Sequence, residues 1–263
     1  MNRTYVKFLL QRDLKYYRIS VPVILGLLVF EQLCVFAGHL HSTYRALLRI
    51  VIDDPALRIG HREPDPSLTA TPLSELINES GMLTGAVIAM ILLLSLTIHC
   101  FLSDTKDGKN IATLMRLPAS KLHYAGVRLL LPAAVMAVFL LAELLVCFFC
   151  QGLYHLVIPA ECLPVGADAA PWTSELCRIF FPFVDPGRLP SAVSCVLLFP
   201  ASAALWIFAV RGRDIFCIAC GVAGVCGCIL FFIPHLLSSI FVPVFTVITV
   251  LSCCYAVCRR KIF

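Results

Sequence analysis

Apolar residues along this chain do not alternate with polar ones; they come in long blocks separated by short charged clusters. The blocks fall at 19–38, 81–102, 124–153, 190–210, 214–233 and 236–258. Each is near or above the roughly 18 apolar residues that mark a bilayer-crossing helix. At a rise of about 1.5 Å per residue, such a block covers roughly the 30 Å of the hydrocarbon core. Lipid offers no partner to backbone N–H and C=O groups, so a spanning segment must satisfy them internally. The pattern therefore predicts an all-α polytopic membrane protein, with six transmembrane helices in one domain over residues 1–263. The third block is long enough to tilt or to continue past the interface. Only 234-PH-235 parts the fifth from the sixth.

Composition agrees with the pattern. Hydrophobic residues make up 60% of the chain and charged ones 14%, where a water-soluble domain carries roughly 25% charged. The formal net charge of +5 does not point to nucleic acid, because the cations cluster beside the apolar blocks. There they set orientation and meet anionic lipid headgroups. No small-residue cleavage site follows the first block, so no cleavable signal peptide is expected.

Four cationic clusters agree on orientation. They are Arg3, Lys7, Arg12, Lys15 and Arg18; Lys106, Lys109, Arg116, Lys121 and Arg128; Arg211 and Arg213; and Arg259, Arg260 and Lys261. In a six-helix count all four fall on one side. The positive-inside rule makes that side cytoplasmic, with both termini. Segments 39–80 and 154–189 are richer in acids and are expected outside. In residues 1–18, Arg3, Lys7, Gln11, Lys15 and Arg18 form a polar stripe, while Val6, Leu9, Leu10, Tyr16 and Tyr17 mostly fall away from it. That spacing predicts an amphipathic elbow helix lying in the inner interface.

Some polar and special residues lie inside the apolar blocks. A carboxylate at mid-bilayer costs about 2.5–3.5 kcal/mol on insertion scales, so Glu31 and Glu143 must face a neighbouring helix, water or the interface. Glu143 is the deeper and is the candidate for a substrate pathway; the alternative is a glutamate that holds two helices together. Pro132, Pro200 and Pro243 each remove a helical donor. Cys220, Gly224 and Cys228 make a small-xxx-small face for close helix packing, within the chain or against a second copy. Of the 14 cysteines, Cys217, Cys220, Cys226 and Cys228 have soft-metal spacing. With no His or carboxylate beside them, they read as packing residues. Cys162 and Cys177 share one expected outer loop, where a disulfide between them is one possibility.

Enzymatic chemistry is not expected. The chain lacks G-x-x-x-x-G-K-[ST], H-E-x-x-H and G-x-S-x-G, and no nucleophile–base pair stands out. His39, His41 and His61 lie near Asp53, Asp54, Glu63 and Asp65. Their spacing matches no usual metal site, and no metal or cofactor is expected in this chain.

Between the second and third blocks lies 101-FLSDTKDGKNIATLMRLPASKLHYAGVRLL-130. Asp107 and Gly108 make a turn, Asn110 can cap a helix, and Pro118 ends it. Over about two turns Ile111, Leu114 and Met115 share one side, next to Lys109, Arg116 and Leu117. Residues 103–123 thus read as a loop carrying a short amphipathic helix, whose apolar ridge can dock in a groove of a partner protein.

This layout resembles the permease subunits of ABC-2 type ATP-binding cassette transporters. Those have an elbow helix, six spans, cytoplasmic termini and a coupling helix between spans two and three. The resemblance covers nearly the whole chain as topology and about thirty residues as pattern. It implies that Asp107, Gly108, Ile111, Leu114, Met115, Arg116 and Leu117 contact a separate ATPase subunit, which holds the ATP and Mg2+. It also implies a second permease copy or a homologous permease, a multi-pass location in the cell membrane, and export of an amphipathic peptide, antimicrobial or lipid-like compound. The family often has a re-entrant outer segment between spans five and six; here 154–189, with 175-ELCRIFFPF-183, is the expected outer interfacial piece. Two other classes stay open. They are an ion-coupled secondary transporter using Glu143, and a non-transporting membrane assembly or sensor protein.

Overall fold

The computed structural model describes residues 2–53, 70–106, 121–164, 170–212, 215–233 and 236–259. Among them there is no strand. The long helices are α1 (Asn2–Asp53), α3 (Met82–Lys106), α4 (Lys121–Val157), α7 (Leu189–Gly212), α8 (Ile215–Phe232) and α9 (Leu236–Arg259). Three short ones intervene: α2 (Leu73–Glu79), α5 (Ala170–Thr173) and α6 (Glu175–Phe180). Six helices are long and apolar enough to cross a membrane, as the blocks require. Much of their exposed surface is apolar, including Leu27, Phe30, Leu141, Leu145, Val193 and Leu251. Such a surface suits lipid rather than water.

Helix α1 is the main departure from expectation. Residues 2–18, the first span and residues 39–53 form one helix of 52 residues. An elbow set apart from the first span is therefore not seen, and the 39–80 segment is helical at its start. The reason is local. After Gly38, 39-HLHSTYRALLRIVID-53 contains no glycine or proline, and Leu40 and Leu47 continue the buried stripe of Leu28, Gln32 and Phe36. Pro55 supplies the first breaker, since it disfavours helix in the residue before it. Lys7, Gln11, Lys15 and Arg18 are exposed as the polar stripe requires. On the expected apolar side Tyr17 is buried, while Leu10 and Tyr16 remain exposed. Helix α4 also outruns its block at both ends, and Pro159 follows its last residue, Val157.

Two compact units divide the chain. The first comprises Met1–Leu25, Ala89–Phe139 and Pro186–Phe263. Its core brings together Ala201, Ala204 and Leu205 of α7, Cys217 and Cys220 of α8, and Cys253 and Ala256 of α9. Small residues let the three helices approach closely. A Cβ on Gly224 would lie 2.6 Å from the Ser202 hydroxyl and 3.3 Å from Thr249 Cγ2, and one on Gly227 would lie 3.0 Å from Phe245 Cβ. The small-xxx-small face of α8 is thus used within the chain. Cys217 and Cys220 sit in this core and Cys226 is exposed, so the four cysteines do not converge as metal ligands would. Phe199 meets Phe231 edge to face, with ring centres 5.8 Å apart.

The second unit comprises Gly26–Ile88 and Leu140–Asp185. Here α2, α5 and α6 gather beside parts of α1, α3 and α4. Gly81, at φ 69°, makes the turn from α2 into α3, a conformation in which a side chain would be strained. Ser174 caps α6 by accepting from the Cys177 N–H. Asn78 of α2 accepts the Glu175 N–H at 2.9 Å, and the Ala70 N–H donates to the Cys162 carbonyl at 2.8 Å. Trp172 lies edge to face with both Phe148 and Phe183. Segment 170–183 is therefore a packed cap on the second unit, built from the aromatic residues of 175-ELCRIFFPF-183 and its approach.

Candidate functional site: a buried carboxyl–amide pair

Glu143, Val146, Cys147, Cys150 and Tyr154 recur along α4 every three or four residues and so share one face. All five are buried, and Glu143 is 0% exposed. From α1, Leu28, Gln32, Phe36 and Leu40 recur every four residues and are also buried. Gln32 Nε2 donates to both Glu143 carboxyl oxygens at 3.1 Å and to the Met82 carbonyl of α3 at 3.2 Å. Three helices thus converge on one side-chain amide. The Met82 carbonyl also fixes the amide's orientation, because turning it over would set oxygen against oxygen. Tyr154 OH, nearer the end of α4, donates to the Thr71 carbonyl at 2.9 Å.

Satisfaction of this pair is incomplete. Gln32 Oε1 is buried and has no hydrogen-bond partner. Among the described residues no cation pairs with Glu143. A carboxyl group with a single N–H donor, next to an unmatched amide oxygen, makes an acceptor-rich spot in an apolar surround. Such a spot favours a proton or a cationic group over further acceptors. Glu31, one residue before Gln32, turns away and lies over Gly85, where a Cβ would come within 2.7 Å of its carboxylate. The absence of a side chain at Gly85 is what leaves room for it.

Glu143 is therefore where the apolar pattern put it, inside a spanning helix and facing a neighbour. Gln32 was not singled out by the sequence, although an amide in 26-GLLVFEQLCVFAG-38 is as out of place as Glu31. Cys147 also went unmarked. It points at Cys177 of α6, with the sulfurs 3.6 Å apart. Cys162 and Cys177 are not bonded to each other. Asp107, Gly108, Ile111, Leu114, Met115, Arg116 and Leu117, expected from the sequence to contact an ATPase, lie outside the described residues, as do Asp54, His61, Glu63 and Asp65. His39 and His41 lie on α1.

The fold and the pair define a helical protein with six membrane-length spans and a polar contact buried among three of them. Comparison with family models, with curated proteins and with solved structures found no match.

Proposed function

We propose that this chain is the membrane-spanning permease subunit of an ATP-binding cassette transporter, sitting in the cell membrane with both termini in the cytoplasm. One observation supports it above the rest. Helix α3 runs on to Lys106, past the apolar block that ends at residue 102, and α4 starts at Lys121, ahead of the block that opens at residue 124. Two helical extensions thus flank residues 107–120 in the chain. A segment that transmits force needs such stiff supports, whereas a plain connecting loop does not.

On this reading the ridge Ile111, Leu114 and Met115, with Arg116 and Leu117 and the Asp107–Gly108 turn, docks on a separate ATPase subunit. That subunit binds ATP and Mg2+. Its closure pushes on 107–120, the push passes into α3 and α4, and the pathway alternates its access. A second permease copy, or a homologous one, completes the assembly. The cargo that suits it is an amphipathic peptide, antimicrobial or lipid-like compound, because such molecules partition into the bilayer and enter between helices. A photo-crosslinking amino acid placed at residue 114 in cells tests the docking. Adducts with an ATP-binding cassette ATPase are expected, and adducts with lipid alone would contradict the reading.

A specific observation favours a second reading. The acceptor-rich spot at Glu143 and Gln32 is suited to a proton or cation, as an ion-coupled secondary transporter needs. In that case Glu143→Gln abolishes transport while leaving any ATPase association intact.

A further inference from the structure

The second unit holds two thiols that neither the fold nor the proposed transport cycle has used. Cys147 lies on the buried face of α4, one helical turn from Glu143. Cys177 lies in α6, within the cap formed by 170–183. Both are 0% exposed, and their sulfurs are 3.6 Å apart. A disulfide bond is about 2.05 Å long, so the two sulfurs have about 1.5 Å to close. The two come from segments that the chain joins only through some thirty residues.

We propose that Cys147 and Cys177 form a disulfide that ties the outer cap to α4. The proposal rests on the orientation given under the proposed function, which puts 154–189 on the oxidising, non-cytoplasmic side. The chemistry needs an oxidant, and a thiol–disulfide oxidoreductase in its disulfide form is the class that supplies it. One thiolate attacks the oxidant's disulfide and forms a mixed disulfide. The second thiolate then displaces the oxidant's sulfur and closes the Cys147–Cys177 bond. Two electrons and the two thiol protons pass to the oxidant, which leaves as a dithiol. Because both sulfurs are buried once the cap is seated, the bond forms before the cap closes. Afterwards it is sheltered from soluble reductants until that region opens.

The pairing differs from the one that loop position suggests. Cys162 shares the outer segment with Cys177, but its backbone is tied to Ala70 and its side chain is only half-buried. Ser174 capping the N–H of Cys177 fixes the start of α6, and Leu176, Cys177, Ile179 and Phe180 form its buried face. The cap is therefore held in a register that aims Cys177 at α4.

The test uses the full-length protein purified in mild detergent from cells quenched with N-ethylmaleimide. It is unfolded without reductant, alkylated again and digested for mass spectrometry. Expected are a linked peptide pair carrying Cys147 and Cys177, and two fewer alkylated thiols than the 14 cysteines of the chain. Cys147→Ser and Cys177→Ser should each free the partner thiol for alkylation. Cys147 and Cys177 both alkylated in the wild type, or a Cys162–Cys177 pair in its place, would overturn the proposal. Orientation is read separately in intact cells, from labelling of Asp185→Cys by a membrane-impermeant maleimide. Label from outside with both thiols free sinks the disulfide alone. Label only after lysis with the linked pair present leaves the disulfide standing and sinks the orientation.

Discussion

The α7–α8–α9 bundle and the second unit bury their polar side chains differently. In the α7–α8–α9 bundle, Ser202, Thr246 and Thr249 each donate to the carbonyl four residues back in their own helix. Thiols, which are weak donors, reach across from Cys253 to the Ala201 carbonyl at 3.2 Å and from Cys228 to the Ser202 hydroxyl at 3.8 Å. Small residues and shape set much of the contact between helices. In the second unit, Gln32 and Tyr154 cross from one element to another, and Glu143 depends on the crossing. The bundle should respond more to volume than to loss of its hydroxyl hydrogen bonds, and the second unit should respond strongly to loss of its polar contacts. A fixed bundle suits a scaffold, while a polar contact that can be made and broken suits a part that changes.

The largest effect that bears on this contrast is expected at Gln32. Gln32→Leu leaves a buried carboxyl group without its donor, at a cost of about 3 kcal/mol. The double variant Gln32→Leu/Glu143→Leu should recover most of that, because both polar partners leave together. Thermal unfolding in detergent measures both. Recovery in the double variant supports a coupled pair, and simple addition of the single effects denies it.

Next comes volume in the bundle. Gly224→Val sets a branched side chain against Ser202 and Thr249 and should destabilise by about 1–3 kcal/mol. Gly224→Ala should be milder, and adding Ser202→Ala should relieve it, since the nearest obstacle is the Ser202 hydroxyl. Tyr154→Phe removes one bond to Thr71 and should cost about 1 kcal/mol. Thr246→Val loses a bond made only within its own helix, and its melting temperature should stay within error of the wild type. A large loss there would erase the contrast between the units.

What was legible in the sequence follows from the same physics. Spanning helices announce themselves by composition, because lipid demands a continuous apolar run; hence the six spans read directly. Glu143 was legible as an exception within such a run. Its partner was not, because Gln32 lies 111 residues away and hydropathy carries no information about pairing. The same holds for Cys147 and Cys177, where sharing a loop suggested Cys162 instead. Helix ends were read too early where no breaker stood. The first apolar block ends at Gly38, yet the buried stripe of α1 continues past it through Leu40 and Leu47. For 154–189 the sequence supports only the expectation of an outer interfacial piece. The packed cap at 170–183, seated by contacts of Trp172 and Asn78, was not legible, because those contacts join residues far apart in the chain.

The central claim is that residues 107–120 dock on an ATPase, and co-purification tests it most directly. The tagged chain is isolated from its native host in mild detergent and its partners are identified by mass spectrometry, beside Leu114→Asp and Arg116→Glu. The account predicts a stoichiometric ATP-binding cassette subunit with the wild type, lost in both variants while the membrane protein stays monodisperse. An intact wild-type protein without such a subunit would contradict it and turn attention to Glu143, Gln32 and an ion gradient.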